Sequence, residues 1–309
     1  MQVTENRDKR IEPDRGVFSS SAWHDLLGKH GIYLDIGNKS QIKAQLILYG
    51  YKKLIQTVVI NAPFSAHCGL EFKALSTKAS TRTSEVKRVS RSLADHLIQS
   101  YPNAVIDFSL PPEIKDIQPF KESGFEVDVR YTYRLDLMPE EEDLFAGFST
   151  ERRKNVKDAQ KKNFTIQYDY DCEKVIERIK ETLENSGLKY DYNTLRRIVE
   201  ADISFTVATL KDDEVLASAV IVYDKSVAYY IAGGADKSKS ASGAAAQVLW
   251  EAIKRSKAMG VSHFDFCGSS VPSIEKFFRG FGGELTPYFR IRKNTAILDF
   301  LKSTKDRFS

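Results

Sequence analysis

One passage of this chain is written twice. Residues 106–134 read IDFSLPPEIKDIQPFKESGFEVDVRYTYR, and residues 264–292 read FDFCGSSVPSIEKFFRGFGGELTPYFRIR. A constant offset of 158 residues carries Asp107 onto Asp265, Phe108 onto Phe266, Phe120 onto Phe278, Gly124 onto Gly282, Glu126 onto Glu284 and Arg134 onto Arg292. Both passages read as strand, helix, glycine turn and strand. The order of elements around them repeats as well, and an order that recurs at a fixed spacing is the mark of a duplicated unit. At 309 residues the chain is also longer than one hydrophobic core usually organises. The expected fold class is therefore α/β (α+β), with two tandem domains, each a twisted mixed sheet flanked by helices.

Within the first copy, "IYLDI" from Ile32 reads as a strand, and "KAQLILYGYKKLIQTVVINAPF" as a hairpin turning at Tyr49-Gly50-Tyr51. A helix starts at Ser84, a good N-cap, with apolar residues recurring at helical spacing. "AVIDFSL" is a buried strand, "PEIKDIQPFKESGF" a helix interrupted by Pro119, and "EVDVRYTYRLDL" an alternating strand. The second copy offers a hairpin turning at Asp212-Asp213, a strand "SVAYYIAGG", a long helix with Ser242 as N-cap, a strand "VSHFDF", a helix "PSIEKFFRGFGG" and a last strand "ELTPYFRIR". Residues 1–17 read as a flexible arm. The joint falls in the acidic run "MPEEEDLFAGFS", giving domains 18–145 and 146–309.

Composition narrows the function classes. The chain has 46 basic and 42 acidic residues, a net charge of only +4, so any anion-binding surface has to be local. Three scattered cysteines point to a reducing compartment, and five histidines without ligand spacing give no metal site. The polar N-terminal stretch lacks the apolar core of a signal peptide, and no apolar run is long enough to span a bilayer. The expected location is cytoplasmic.

"PFKESGFEV" resembles the closing helix and turn of GNAT-type acyltransferases. "AYYIAGG", "SGAAAQVLWEAIKRSKAMGVSHFDFCGS" and "FFRGFGGE" resemble the double-GNAT Fem-type transferases and the related BioF2-like acetyltransferases, and "TERRKNVKDAQKKN" resembles the helix that opens their second domain. The resemblance covers about residues 20–300. It implies two GNAT-like domains, the first degenerate and the second carrying the chemistry. The implied reaction is an N-acyl transfer, from acyl-CoA or aminoacyl-tRNA, to an amine on a small molecule, a peptide or a sugar. tRNA is then a possible partner, and no metal is required. The oligomeric state is left open.

The GNAT resemblance implies roles for particular residues, beside which stand plainer readings: a glycine pair that only turns the chain, a capped core helix and a solvated charged face. In the GNAT design a splayed central strand exposes backbone to the donor, which assigns Ala232, Gly233 and Gly234 to donor binding. The helix start at Ser242, Gly243 and Ala244 offers free N–H groups and a positive dipole end. The stretch "SKSASGA" before it departs from the family's Q/R-x-x-G-x-G/A loop and weakens the case for CoA. The lack of a helical-hairpin insertion likewise weakens the case for tRNA. Phe120 and Phe278 stand where GNATs often carry a proton-donating Tyr. Arg279 is a candidate oxyanion partner, Asp265 a candidate base, and Tyr230 and Glu275 further titratable candidates. Arg279 is equally suited to pairing with Glu275, and Asp265 to a structural role. In the basic helix, Arg152, Arg153 and Lys157 are candidates to hold an anionic substrate. A rival reading is a non-catalytic binding protein on a decayed GNAT frame.

Overall fold

The computed structural model describes residues 1–5, 16–38, 41–73, 75–185, 190–238 and 241–294. The chain forms two compact units. One comprises Met1–Arg130 together with Pro287–Ser309, the other Tyr131–Thr286.

The first unit contains β1 (Gln2–Glu5), α1 (Ser21–Leu27), β2 (Gly31–Asn38), β3 (Gln41–Lys53), β4 (Gln56–Ile60), β5 (Glu71–Phe72), α2 (Ala79–Ser100), β6 (Val105–Ser109), α3 (Gln118–Glu122) and the first part of β7 (Glu126–Asp136). Strands β1 to β4 are antiparallel neighbours, and β4 pairs with β6 in parallel. Leu34, Ile36, Leu46 and Leu48 on the sheet bury against Val89, Leu93 and Leu97, which α2 presents at helical spacing.

The second unit contains the rest of β7, α4 (Glu141–Gly147), α5 (Thr150–Gln160), β8 (Thr165–Tyr168), α6 (Cys172–Glu184), α7 (Tyr192–Val199), β9 (Ser204–Lys211), β10 (Glu214–Tyr223), β11 (Val227–Ala235), α8 (Ala244–Ala258), β12 (His263–Asp265), α9 (Pro272–Arg279) and the start of β13 (Glu284–Lys293). Its strand order is β7-β12-β11-β10-β9-β8, with β11 and β12 parallel and the other pairs antiparallel. Every residue of β10 from Val215 to Val222 is buried, because α6 and α8 both pack on this strand.

The expected fold class is borne out: each unit is a mixed sheet flanked by helices, and β2-β3-β4-α2-β6-α3-β7 repeats as β9-β10-β11-α8-β12-α9-β13. The duplication has a twist that the offset alone did not reveal. The end of β7 pairs with β12 in the second unit, and the end of β13 pairs with β6 in the first. Each copy's closing strand therefore completes the other's sheet, and the compact units divide at 130/131 and 286/287 rather than at 145/146.

Several local expectations are corrected. Gln2–Glu5, read as part of an arm, pairs with β2, while residues 6–15 lie outside the described residues. Helix α2 starts at Ala79, five residues before Ser84, because the Thr83 and Ser84 hydroxyls donate to the carbonyls of Ala79 and Ser80 and are satisfied within the helix. Of the expected helix before Gly124, only Gln118–Glu122 is α-helical, with Pro119 at its start. The first hairpin turns at Leu54-Ile55, not at Tyr49-Gly50-Tyr51. Gly50 lies inside β3, where a Cβ would stand 2.6 Å from Ile32 Cδ1, so its glycine serves packing rather than turning.

Candidate active site

The candidate site lies where one parallel pairing stops. β11 and β12 pair at Val227↔His263, Ala228↔Phe264 and Tyr229↔Asp265. β12 then ends, and β11 runs on through Tyr230–Ala235 with, among the described residues, a strand partner only on the β10 side. A bulge falls at the same place: Ile221 faces Tyr230, Val220 faces Ala232, and Ile231 is the extra residue. Bulges bend a strand and re-aim its side chains. Ala232, Gly233 and Gly234 thus lie on a stretch of edge to which an extended ligand can add by backbone pairing.

The first unit treats the equivalent parting differently. After Ile60↔Asp107, Asn61 Oδ1 accepts from Ser109 N at 3.1 Å, and Cys68 N donates to Ser109 O at 2.8 Å. The loop after β4 thus ties down Ser109, whereas its counterpart Cys267 gives its N–H to Asp265 Oδ1 at 2.8 Å and, among the described residues, takes no such tie from β11.

Tyr230 stands at the mouth of the parting. Its ring meets Phe278 edge-on with centroids 5.6 Å apart, and Phe278 stacks on Phe266 at 5.6 Å. Its hydroxyl lies over Gly233, only 1.8 Å from where a Cβ would be. Burial, and then the nearby Cys267, push the Tyr230 pKa up, so the phenol is protonated at neutral pH. Burial also pushes the Cys267 thiol well up, which leaves it a poor nucleophile.

The two glycines of "YYIAGG" have different tasks. A Cβ on Gly233 would meet the far end of a movable side chain, whereas one on Gly234 would meet the Arg178 carbonyl oxygen at 2.3 Å, in the backbone of α6. Gly234→Ala is therefore expected to cost more than Gly233→Ala. Overpacking typically costs about 1–3 kcal/mol, and Gly234 belongs at the upper end. Urea denaturation of the two variants measures the difference; equal midpoints would contradict it. Gly233→Ala should instead displace the Tyr230 hydroxyl.

Asp265 is buried and fully engaged. Its Oδ1 accepts from Thr132 Oγ1 at 2.6 Å and from Cys267 N at 2.8 Å, and its Oδ2 accepts from Arg134 Nε at 2.7 Å. The twin carboxylate makes the matching tie: Asp107 accepts from Arg290 Nε at 2.6 Å, and Arg290 is the position that the 158-residue offset carries onto Thr132. In both copies this aspartate fastens the end of a parallel strand to the exchanged strand beside it.

A second cluster sits on α9. Tyr133 donates its hydroxyl to Glu275 Oε1 at 2.5 Å, and Arg279 Nε lies 3.4 Å from the same oxygen with its side chain 61% exposed. Burial, then Glu275, raise the Tyr133 pKa. Nothing in the sequence singled out Tyr133, because "VRYTYRLDL" was assigned whole to the first domain; only its alternating aromatics mark it.

At the start of α8 the N-cap is Gly243 rather than Ser242. Gly243 has φ +92°, and a Cβ there would lie 2.6 Å from Asn155 O, so the glycine lets α8 cross α5 closely. Ser242 is exposed and its carbonyl accepts from Lys162 Nζ at 2.9 Å, while Ala244 is buried with its N–H on Ala241 O. Two arginines of the basic helix are tied into the fold. Arg152 is buried, its guanidinium 4.6 Å from the centroid of the Phe277 ring and 2.7 Å from Glu151 Oε1, and burial pushes its pKa down. Arg153 donates to the carbonyls of Ala146 and Phe148 at the end of α4. Lys157 is exposed.

Comparison with known proteins agrees with this fold. Residues 150–279 match the family model described as an acetyltransferase (GNAT) domain. No curated protein matches the chain. Among solved structures, FemX superposes with a TM-score of 0.64 at 14% identity, over 94% of this chain and 97% of that one. The C-terminal domain of a putative lysylphosphatidylglycerol synthetase from Agrobacterium fabrum gives 0.56 at 10% identity, over 92% and 91%. L-PGS from Bacillus licheniformis gives 0.53 at 11%, again over 92% and 91%. At such identities the likeness is one of fold. Residues 150–279 are thus similar to a GNAT-type acetyltransferase domain, and the chain as a whole shares the fold of FemX.

Proposed function

We propose that the chain is an N-acyltransferase whose donor lies along Ala232–Gly234, beside the start of α8 at Ser242–Ala244. The observation that carries this reading is the parting of β11 from β12 after Tyr229 and Asp265. The amine attacks the acyl carbonyl carbon, a C–N bond forms, and the bond to the leaving thiolate or alkoxide breaks. Tyr230 hands its proton to that leaving group. Phe278 cannot do this, but Tyr230 packs against it and supplies the missing hydroxyl from the strand instead of the helix. Arg279 faces the developing oxyanion as a fixed cation. Glu275, held by Tyr133, takes the proton released by the amine. Asp265 positions Arg134 and the Cys267 backbone and does not itself react. Arg152 and Arg153 seat α5, and Lys157, exposed on that helix as Lys154 is, meets an anionic group.

Acyl-CoA and aminoacyl-tRNA are the two candidate donors, and the acceptor is an amine of a small molecule, peptide or sugar. FemX and the lysylphosphatidylglycerol synthetases lend weight to the aminoacyl branch through fold alone. Calorimetric titration with CoA and with tRNA separates the branches: saturable CoA binding supports the first, and tRNA binding without CoA binding the second. Arg279→Ala is expected to lower kcat about tenfold to a hundredfold. That is less than a dry oxyanion donor contributes, because the side chain is mostly exposed. Unchanged turnover would remove Arg279 from the mechanism.

A further inference from the structure

The β3–β4 hairpin ends in a feature that acyl transfer does not use. Leu54 and Ile55 form its two-residue tip and are 95% and 101% exposed. Leu54 is held at φ +57°, a region that glycine enters without cost and leucine does not. A tip chosen for folding alone would carry Gly, Asn or Asp there.

The tip also stands clear of the sheet. β2 begins at Gly31, opposite Tyr49, and β6 reaches β4 only from Val58 onward. The last two cross-strand pairs, Lys52↔Thr57 and Lys53↔Gln56, therefore project past both neighbouring strands. Lys52 and Lys53 are exposed, and no carboxylate occurs between Tyr49 and Ile60. Behind them the rings of Tyr49 and Tyr51 lie with centroids 6.0 Å apart. Two bare aliphatic side chains at an apex, a pair of lysines one step back and tyrosines behind them reproduce, in order of depth, what the surface of an anionic bilayer accepts.

We propose that this hairpin tip docks the protein on an anionic membrane surface, with Leu54 and Ile55 entering the interfacial layer and Lys52 and Lys53 meeting the headgroups. The contact is peripheral; among the described residues no helix is long and apolar enough to cross a membrane. The proposal goes beyond the acyl-transfer reading and stands on separate residues.

Co-sedimentation of the full chain with vesicles tests it. Phosphatidylcholine vesicles with one part in three phosphatidylglycerol should carry the protein down, and pure phosphatidylcholine vesicles should not. Raising the salt to about 0.5 M should weaken the partition by screening the lysines. Leu54→Gly/Ile55→Ser should lower partition at least about tenfold, with Tm unchanged or raised because the positive φ passes to glycine. Lys52→Glu/Lys53→Glu, which leaves the turn untouched, should lower it as well. Three results would overturn the proposal: wild-type protein left in the supernatant with anionic vesicles, partition indifferent to both double variants, or a concentration-dependent dimer that Leu54→Gly/Ile55→Ser abolishes in place of vesicle binding.

Discussion

Tyr230→Phe is expected to lower kcat by about 10²–10⁴, the usual worth of a positioned proton donor. Stability should stay within about 1 kcal/mol of the parent, because the ring packing on Phe278 survives and no protein group among the described residues bonds the hydroxyl. The proposed acid role requires only that the phenol be protonated. Burial disfavours the phenolate, so the phenol is protonated at neutral pH and has a proton to offer the leaving group; a leaving alkoxide is basic enough to take it outright, and a thiolate, the weaker base, shares it in a hydrogen bond. Gly233→Ala should share part of the loss, since a methyl group there takes the space of the Tyr230 hydroxyl. Pre-steady-state turnover with the donor that binds measures both. A Phe variant with parental kcat would show that the leaving group needs no proton from Tyr230.

Asp265→Ala should produce the largest loss of stability, about 3–5 kcal/mol, as is usual when one member of a buried ion pair is removed. Arg134 is only 15% exposed and would lose its carboxylate, while Thr132 Oγ1 and Cys267 N would each lose an acceptor. Asp107→Ala is the internal control. The equivalent pair with Arg290 has side chains 28% and 29% exposed, where water screens the charge and solvates what is left behind. The second variant should cost no more than about 1 kcal/mol. Chemical denaturation decides it; equal costs would mean that burial does not distinguish the two copies.

The fold was legible because it rests on periodicity and repetition. The alternation of β7, the apolar spacing of α2 and the 158-residue offset are all local signals that tertiary structure preserved. The exchange of closing strands was hidden, because Arg134 and Arg292 occupy equivalent positions and sequence alone cannot say which aspartate each strand pairs beside. Arg152 and Arg153 read as surface cations, yet one is buried under Phe277 and the other caps a helix end. A long arginine stem packs as readily as it solvates, and composition does not distinguish the two uses. Gly243 shows the same limit: as a phosphate-loop glycine or as the crossing point of two helices, it is written with one letter. Tyr133 was missed because its partner, Glu275, lies 142 residues away.

Amide hydrogen exchange across Tyr230–Ala235 tests the central claim most directly, because a donor paired to the free edge of β11 must protect amides that no strand protects in its absence. With saturating acetyl-CoA, or with aminoacyl-tRNA if that is the donor that binds, exchange at Ile231 to Gly234 should slow markedly while the first unit's β4 is unaffected. Exchange unchanged along β11 under conditions where acyl transfer proceeds would contradict the account.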